Sequence, residues 1–176
     1  AAQTCEKIAQ ESDSEQERKE FKLIITLCRA WQKMTQAETE TSPALYVEAS
    51  RLFEEAKELS SSEQAKTLAL GHSRFCRALE AGTKFADTRD PTMHTAAKHH
   101  LESAANYYVK AGYPNASEYA KATELLFDAY VQMDDAKEER DPEKKAKLFM
   151  MTEKVLQTSA GAYMKAQHPE KSEQVQ

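Results

Sequence analysis

Two short strings return along this chain at fixed offsets, and that periodicity limits the fold more than any other property of the sequence. Ser14-Glu15-Gln16 recurs 48 residues on as Ser62-Glu63-Gln64, then at steps of 55 as Ser117-Glu118-Tyr119 and Ser172-Glu173-Gln174. The 48 offset also lays Cys28-Arg29-Ala30 on Cys76-Arg77-Ala78, and Pro43 on Pro91. The 55 offset lays Tyr108-Val109-Lys110-Ala111 on Tyr163-Met164-Lys165-Ala166, and Pro114 on Pro169. Self-similarity on this scale marks stacked helical units, each too small to bury its own apolar face. A stacked array presents a long surface, so the expected work is gripping a partner rather than catalysis.

The bulk properties agree with an all-α chain. Its 176 residues suffice for one compact domain or a short array. Four Gly, five Pro and 27 Ala leave few helix breakers and many small side chains for close helix contacts. A net charge of −5 argues against a nucleic-acid partner, which would need a basic surface. No run of about 18 apolar residues exists, so no insertion into a membrane is expected, and no charged-then-apolar leader opens the chain. Cys5, Cys28 and Cys76 form no C-x-x-C pair. Cys28 and Cys76 sit inside apolar stretches and read as buried free thiols in a reducing compartment, hence a cytoplasmic protein.

Proline and capping residues divide the chain. Ser42-Pro43, Asp90-Pro91 and Asp141-Pro142 each place a capping side chain before a proline that suits the first helical position. Gly112 suits a left-handed C-terminal cap, with Pro114 blocking continuation. The spacing predicts helices over 14–39, 44–59, 63–87, 92–111, 116–139 and 143–166. A partial helix is expected over 1–10 and another after Pro169. Helices opened by Pro (the first of each pair) alternate with helices opened by Ser-Glu. The expected organisation is one repeat domain over 1–176 with units of about 1–42, 43–90, 91–141 and 142–176. Both ends stop inside a unit, as a piece of a longer array would.

The 55 offset aligns one face of the first helices. Tyr46, Ser50, Phe53 and Ala56 correspond to Leu101, Ala105, Tyr108 and Ala111, and to Leu156, Ala160, Tyr163 and Ala166. Spacings of 4, 3 and 3 lay each set along one stripe, alternating large and small as interdigitating helices require. In a second helix, Gly71-x-x-x-Phe75-x-x-Ala78 puts small, aromatic and small on one face. Trp31, which matches Leu79, is also expected in the core. At these residues the chain resembles the tetratricopeptide (TPR) repeat. Because the units exceed the usual length of about 34 residues, it is more similar to long-helix relatives such as the soluble NSF attachment proteins. The resemblance implies a right-handed α-α superhelix of antiparallel helix pairs, about six to eight helices in all. It also implies a protein or peptide ligand on the concave face lined by the first helices.

Chemistry is sparse by comparison. There is no Gly-rich phosphate loop, no nucleophile turn and no helical His pair at ligand spacing; His94, His99 and His100 fit solvated or edge-packed side chains better than a metal site. No enzyme, cofactor or metal is expected. The acidic run Asp134, Asp135, Glu138 and Glu139 precedes the basic Lys144, Lys145 and Lys147, and the two clusters are expected to face each other across one turn. By the resemblance, the partner-binding positions flank the packed stripe: Ala44, Val47, Arg51 and Glu54; His99, Glu102, Asn106 and Val109; Lys154, Gln157, Gly161 and Met164. Arg51 and Asn106 carry the donors that hold a backbone or carboxylate. Tyr107, one position off the stripe, could flank the same groove. The leading function is therefore a non-catalytic scaffold or adaptor. The alternative is an assembly module whose open ends stack on further repeats or a second copy.

Overall fold

The computed structural model describes residues 14–175, which form seven helices with no strand among them. They are α1 (Glu15–Glu40), α2 (Pro43–Leu59), α3 (Glu63–Thr88), α4 (Pro91–Lys110), α5 (Pro114–Glu138), α6 (Pro142–Lys165) and α7 (Pro169–Val175). The first six begin and end within two residues of the expected positions, and α7 is the helix expected after Pro169. The helix expected over 1–10 lies outside the described residues.

Side-chain capping explains four of these starts; Ser42, expected to cap, makes no side-chain capping bond, so Pro43 alone marks the start of α2. Asp90 Oδ1 accepts from the Thr92 amide at 2.9 Å, and Asp141 Oδ1 accepts from the amides of Glu143 and Lys144 at 2.9 and 3.1 Å. Ser62 Oγ accepts from the Ala65 amide at 3.3 Å and Ser14 Oγ from that of Glu17 at 3.4 Å. Each removes an orphan donor from a first turn. One expectation needs correction. Ser117 and Ser172 do not open helices: Pro114 and Pro169 already occupy the first helical positions. That places both serines a turn inside, where they are buried and their amides bond back to Tyr113 and His168. The repeated Ser-Glu string thus caps α1 and α3 but packs inside α5 and α7. At the other end, Gly112 adopts φ 82°, and Gln167, 55 residues on, repeats that left-handed turn at φ 66° without a glycine's freedom.

Around Asp141 the contact between the runs goes through the backbone rather than through paired charges. Lys145 Nζ donates to the Lys137 carbonyl at 3.2 Å, so the start of α6 satisfies the end of α5. Glu139 accepts from the amides of Asp141 and Arg140, which holds its carboxyl below the usual range.

The helices fall into two compact units, one ending at Gly112 and one beginning at Tyr113. In the first, α1 packs on α2, α2 on α3 and α3 on α4; in the second, α5 packs on α6 and α6 on α7. Consecutive helices therefore pair within each unit. The aligned stripe forms the core: of its twelve positions only Leu156 is not fully buried, and it packs against Ala122, Ala160, Tyr163 and Val175. In the first unit Ala30, Ala49, Phe53 and Cys76 form one cluster with Leu27, Met34 and Leu52. Alanine at so many contacts lets helices approach closely, and hydroxyls then meet across the seams. Ser50 and Ser73 lie 3.0 Å apart, Thr123 and Tyr163 Oη lie 3.0 Å apart, and Ser159 donates to the Ala122 carbonyl at 2.8 Å.

Two further expectations are corrected. Trp31 is 44% exposed rather than in the core, with its ring 5.3 Å from Phe53 and 4.6 Å from His72 between centroids. Cys28 is half-buried, whereas Cys76 is fully buried and its thiol is pushed up to about 12 by that burial.

Helices α3 and α4 approach closely at Gly71, where an added Cβ would stand 2.8 Å from two Tyr108 ring atoms and 3.4 Å from Tyr107 Cβ. Tyr108 cannot swing aside, because it is buried and its hydroxyl is 2.9 Å from His72 Nδ1. Replacing Gly71 with Ala should raise helix propensity by about 1 kcal/mol, yet the collision should outweigh it, for a net loss of about 1–2 kcal/mol. A denaturant midpoint equal to or above the parent's would show that α3 and α4 do not meet this closely.

Candidate functional site

In the first unit the expected binding positions come from α2 and α4. On α2, Val47, Arg51 and Glu54 follow spacings of four and three, which sets them along one face. Arg51 and Ala44 are exposed, while Val47 and Glu54 are half-buried. On α4, His99, Glu102, Asn106 and Val109 are exposed. His99, Glu102 and Asn106 come together with Ser103, Tyr107 and Lys110 around a shallow depression of about 320 Å³. Val109 does not line it. Tyr107 lines it, as its place beside the stripe suggested.

The electrostatics tie this face to its neighbours. Glu54 Oε1 accepts from Ser73 Oγ at 3.0 Å, so α3 holds that carboxylate in place. Lys57 pairs with Glu58 at 2.6 Å; that bond raises the Lys57 pKa, with smaller contributions from Glu54 and from Tyr107 of α4. Lys110 Nζ lies 5.9 Å from the Tyr107 ring centroid, within cation–π range. Beneath the stripe, His72 of α3 bridges the two first helices, 5.0 Å from Phe53 of α2 and 5.2 Å from Tyr108 of α4 between ring centroids. The same burial lowers the His72 pKa to about 4, so its ring is neutral near pH 7 and its Nδ1 shares one proton with the Tyr108 hydroxyl.

In the second unit, Lys154, Gln157, Gly161 and Met164 are all exposed along α6. Gln157 Nε2 donates to Glu153 at 3.2 Å.

The residues sequence reasoning missed are Ser103 and Lys110 in the depression and, on α3, His72 between Phe53 and Tyr108. Stepping by four and three from His99 reaches Ser103, Tyr107 and Lys110, so their signal was helical spacing alone. Chemically the depression offers amide, hydroxyl, imidazole and ammonium groups, suited to holding polar groups of a ligand. Among the described residues no group of three His, Cys, Asp or Glu could hold a metal. His99 and His100 stand side by side, 5.8 Å apart between ring centroids. No helix among them is long and apolar enough to cross a membrane.

Comparison with protein-family models, with curated proteins and with solved structures finds no match to this chain.

Proposed function

We propose that this chain is a TPR-like, right-handed helical repeat acting as a non-catalytic cytoplasmic scaffold. Its ligand is an extended peptide or a partner helix laid along the outward faces of the first helices. One observation carries this reading: three residues chosen from the repeat register, His99, Glu102 and Asn106, surround a single depression on α4. The alanine-and-tyrosine stripe already accounts for the core, which leaves this polar face without a packing role. Peptide binders commonly combine a few fixed polar donors with such a shallow groove.

The test is to select binders from a random peptide display library and to measure the best by calorimetry. A chain carrying Arg51→Ala and Asn106→Ala together should bind at least about tenfold more weakly, about 1.4 kcal/mol. Unchanged affinity would remove the groove from the reading.

The assembly alternative has its own support. Ile24 and Trp31, seven residues apart on one face of α1, are each 44% exposed. Apolar side chains in that position suit stacking on another repeat or a second copy. Concentration-dependent elution from a sizing column, abolished by Trp31→Glu, would favour this reading over the first.

A further inference from the structure

The outward face of α6 has a pattern that packing within the second unit does not use. Lys147, Lys154 and Lys165 follow spacings of seven and eleven, which returns each to the same side of a helix. All three are exposed, and no carboxylate pairs with any of them among the described residues. The acids on this helix are otherwise placed: Glu143 sits in the first turn, and Glu153 accepts from Gln157. Beside the lysine row runs a second one of Met150, Gln157, Gly161 and Met164. The two methionines are 61% and 56% exposed. An added Cβ at Gly161 would meet nothing within 4 Å, so no neighbour in the structure requires a glycine there.

A mid-helix glycine costs about 1 kcal/mol against alanine. Glycine also permits another backbone to approach where any side chain would hold it off. Flexible methionines on either side adapt to the shape of an apolar partner. Three unpaired cations on one face repel the same face of a second copy and favour an acidic partner.

We infer that the α6 face is a docking surface for an amphipathic helix with an acidic flank, which crosses closest at Gly161 while its acids meet the lysine row. From Lys147 to Lys165 the row spans roughly 27 Å, the length of about five helical turns. The inference rests on the scaffold reading and gives the partner's chemistry for the second unit.

A fluorescent 18-residue helical probe settles it, with Glu at positions matching the lysine row and Leu and Ala on the adjoining row. Anisotropy should show saturable binding to the intact chain that weakens at high salt. Lys154→Glu should weaken binding by about tenfold, and a probe with Lys in place of the facing Glu should restore it. Gly161→Gln should weaken it similarly while leaving helical circular dichroism equal or higher. The Arg51→Ala, Asn106→Ala chain should bind the probe normally.

No saturable binding, or binding indifferent to both α6 substitutions, overturns the inference. If the probe is sensitive only to Arg51 and Asn106, this face is excluded and the α4 groove stands. Binding to vesicles of anionic lipid without binding to the probe also overturns it.

Discussion

Lowering the pH from 7 to 4 is expected to cost the first unit up to about 3 kcal/mol through His72 alone. The ring sits among Trp31, Phe53 and Tyr108, with centroids 4.6 to 5.2 Å away. Burial there is the cause of its lowered pKa, about 4 against an ordinary 6.5. Charged groups on the packed helices give little relief, since the nearby Glu54 carboxylate is taken by Ser73 and the facing group on α4 is a phenol. The unfolded chain therefore takes up a proton first as the pH falls. The stabilisation is complete above about 6.5 and is progressively lost on the way down to 4. Many carboxylates also contribute to acid unfolding, so the informative quantity is a difference. His72→Gln keeps an amide within reach of the Tyr108 hydroxyl and does not titrate. Urea unfolding by circular dichroism at several pH values should give a flatter profile for that variant between 6.5 and 4. Parallel profiles would mean that the ring is solvated.

Removing the Phe53 side chain should be the most damaging single truncation in the first unit. Phe53→Ala is expected to cost about 3–5 kcal/mol, since the ring is fully buried and joins Ala30, Ala49 and Cys76 in one cluster. It also supports one side of His72. The alanines around it cannot expand to fill the void, so little relaxation is available. The control is Phe149→Ala in the second unit: that ring is 40% exposed and its loss should cost under about 0.5 kcal/mol. Equal losses at the two sites would contradict the assignment of the repeated stripe to the core.

The stripe was legible because it recurs. Tyr46, Leu101 and Leu156 begin the same large-small-aromatic-small run, and only a buried helical face keeps that order at three places. Helix starts were legible where Asp precedes Pro, because the capping chemistry is local, and at Ser42-Pro43 the proline alone gave the start. They were misread at Ser117 and Ser172, where the repeated string outweighed the prolines three residues earlier. The shared face of the proposed partner positions was legible in part. His99, Glu102 and Asn106 share a depression, whereas Glu54 is held by Ser73 through a bond that only the tertiary register creates. His72 was invisible for the same reason. Nothing in the string Leu70-Gly71-His72-Ser73 says that a histidine will meet three aromatic rings from three other helices. Trp31 misled because its repeat equivalent, Leu79, suggested a core position. A ring of that size at the edge of an alanine-rich seam is left partly in water.

The chain has a single tryptophan, Trp31, and it belongs to the unit that ends at Gly112. Its ultraviolet emission is thus a spectroscopic label installed by nature on one half of the molecule and absent from the other. Far-ultraviolet ellipticity, by contrast, sums over the helices of both units. Heating curves recorded by the two signals will superimpose if the halves melt as one cooperative block, and will separate by the difference between their melting temperatures if they do not.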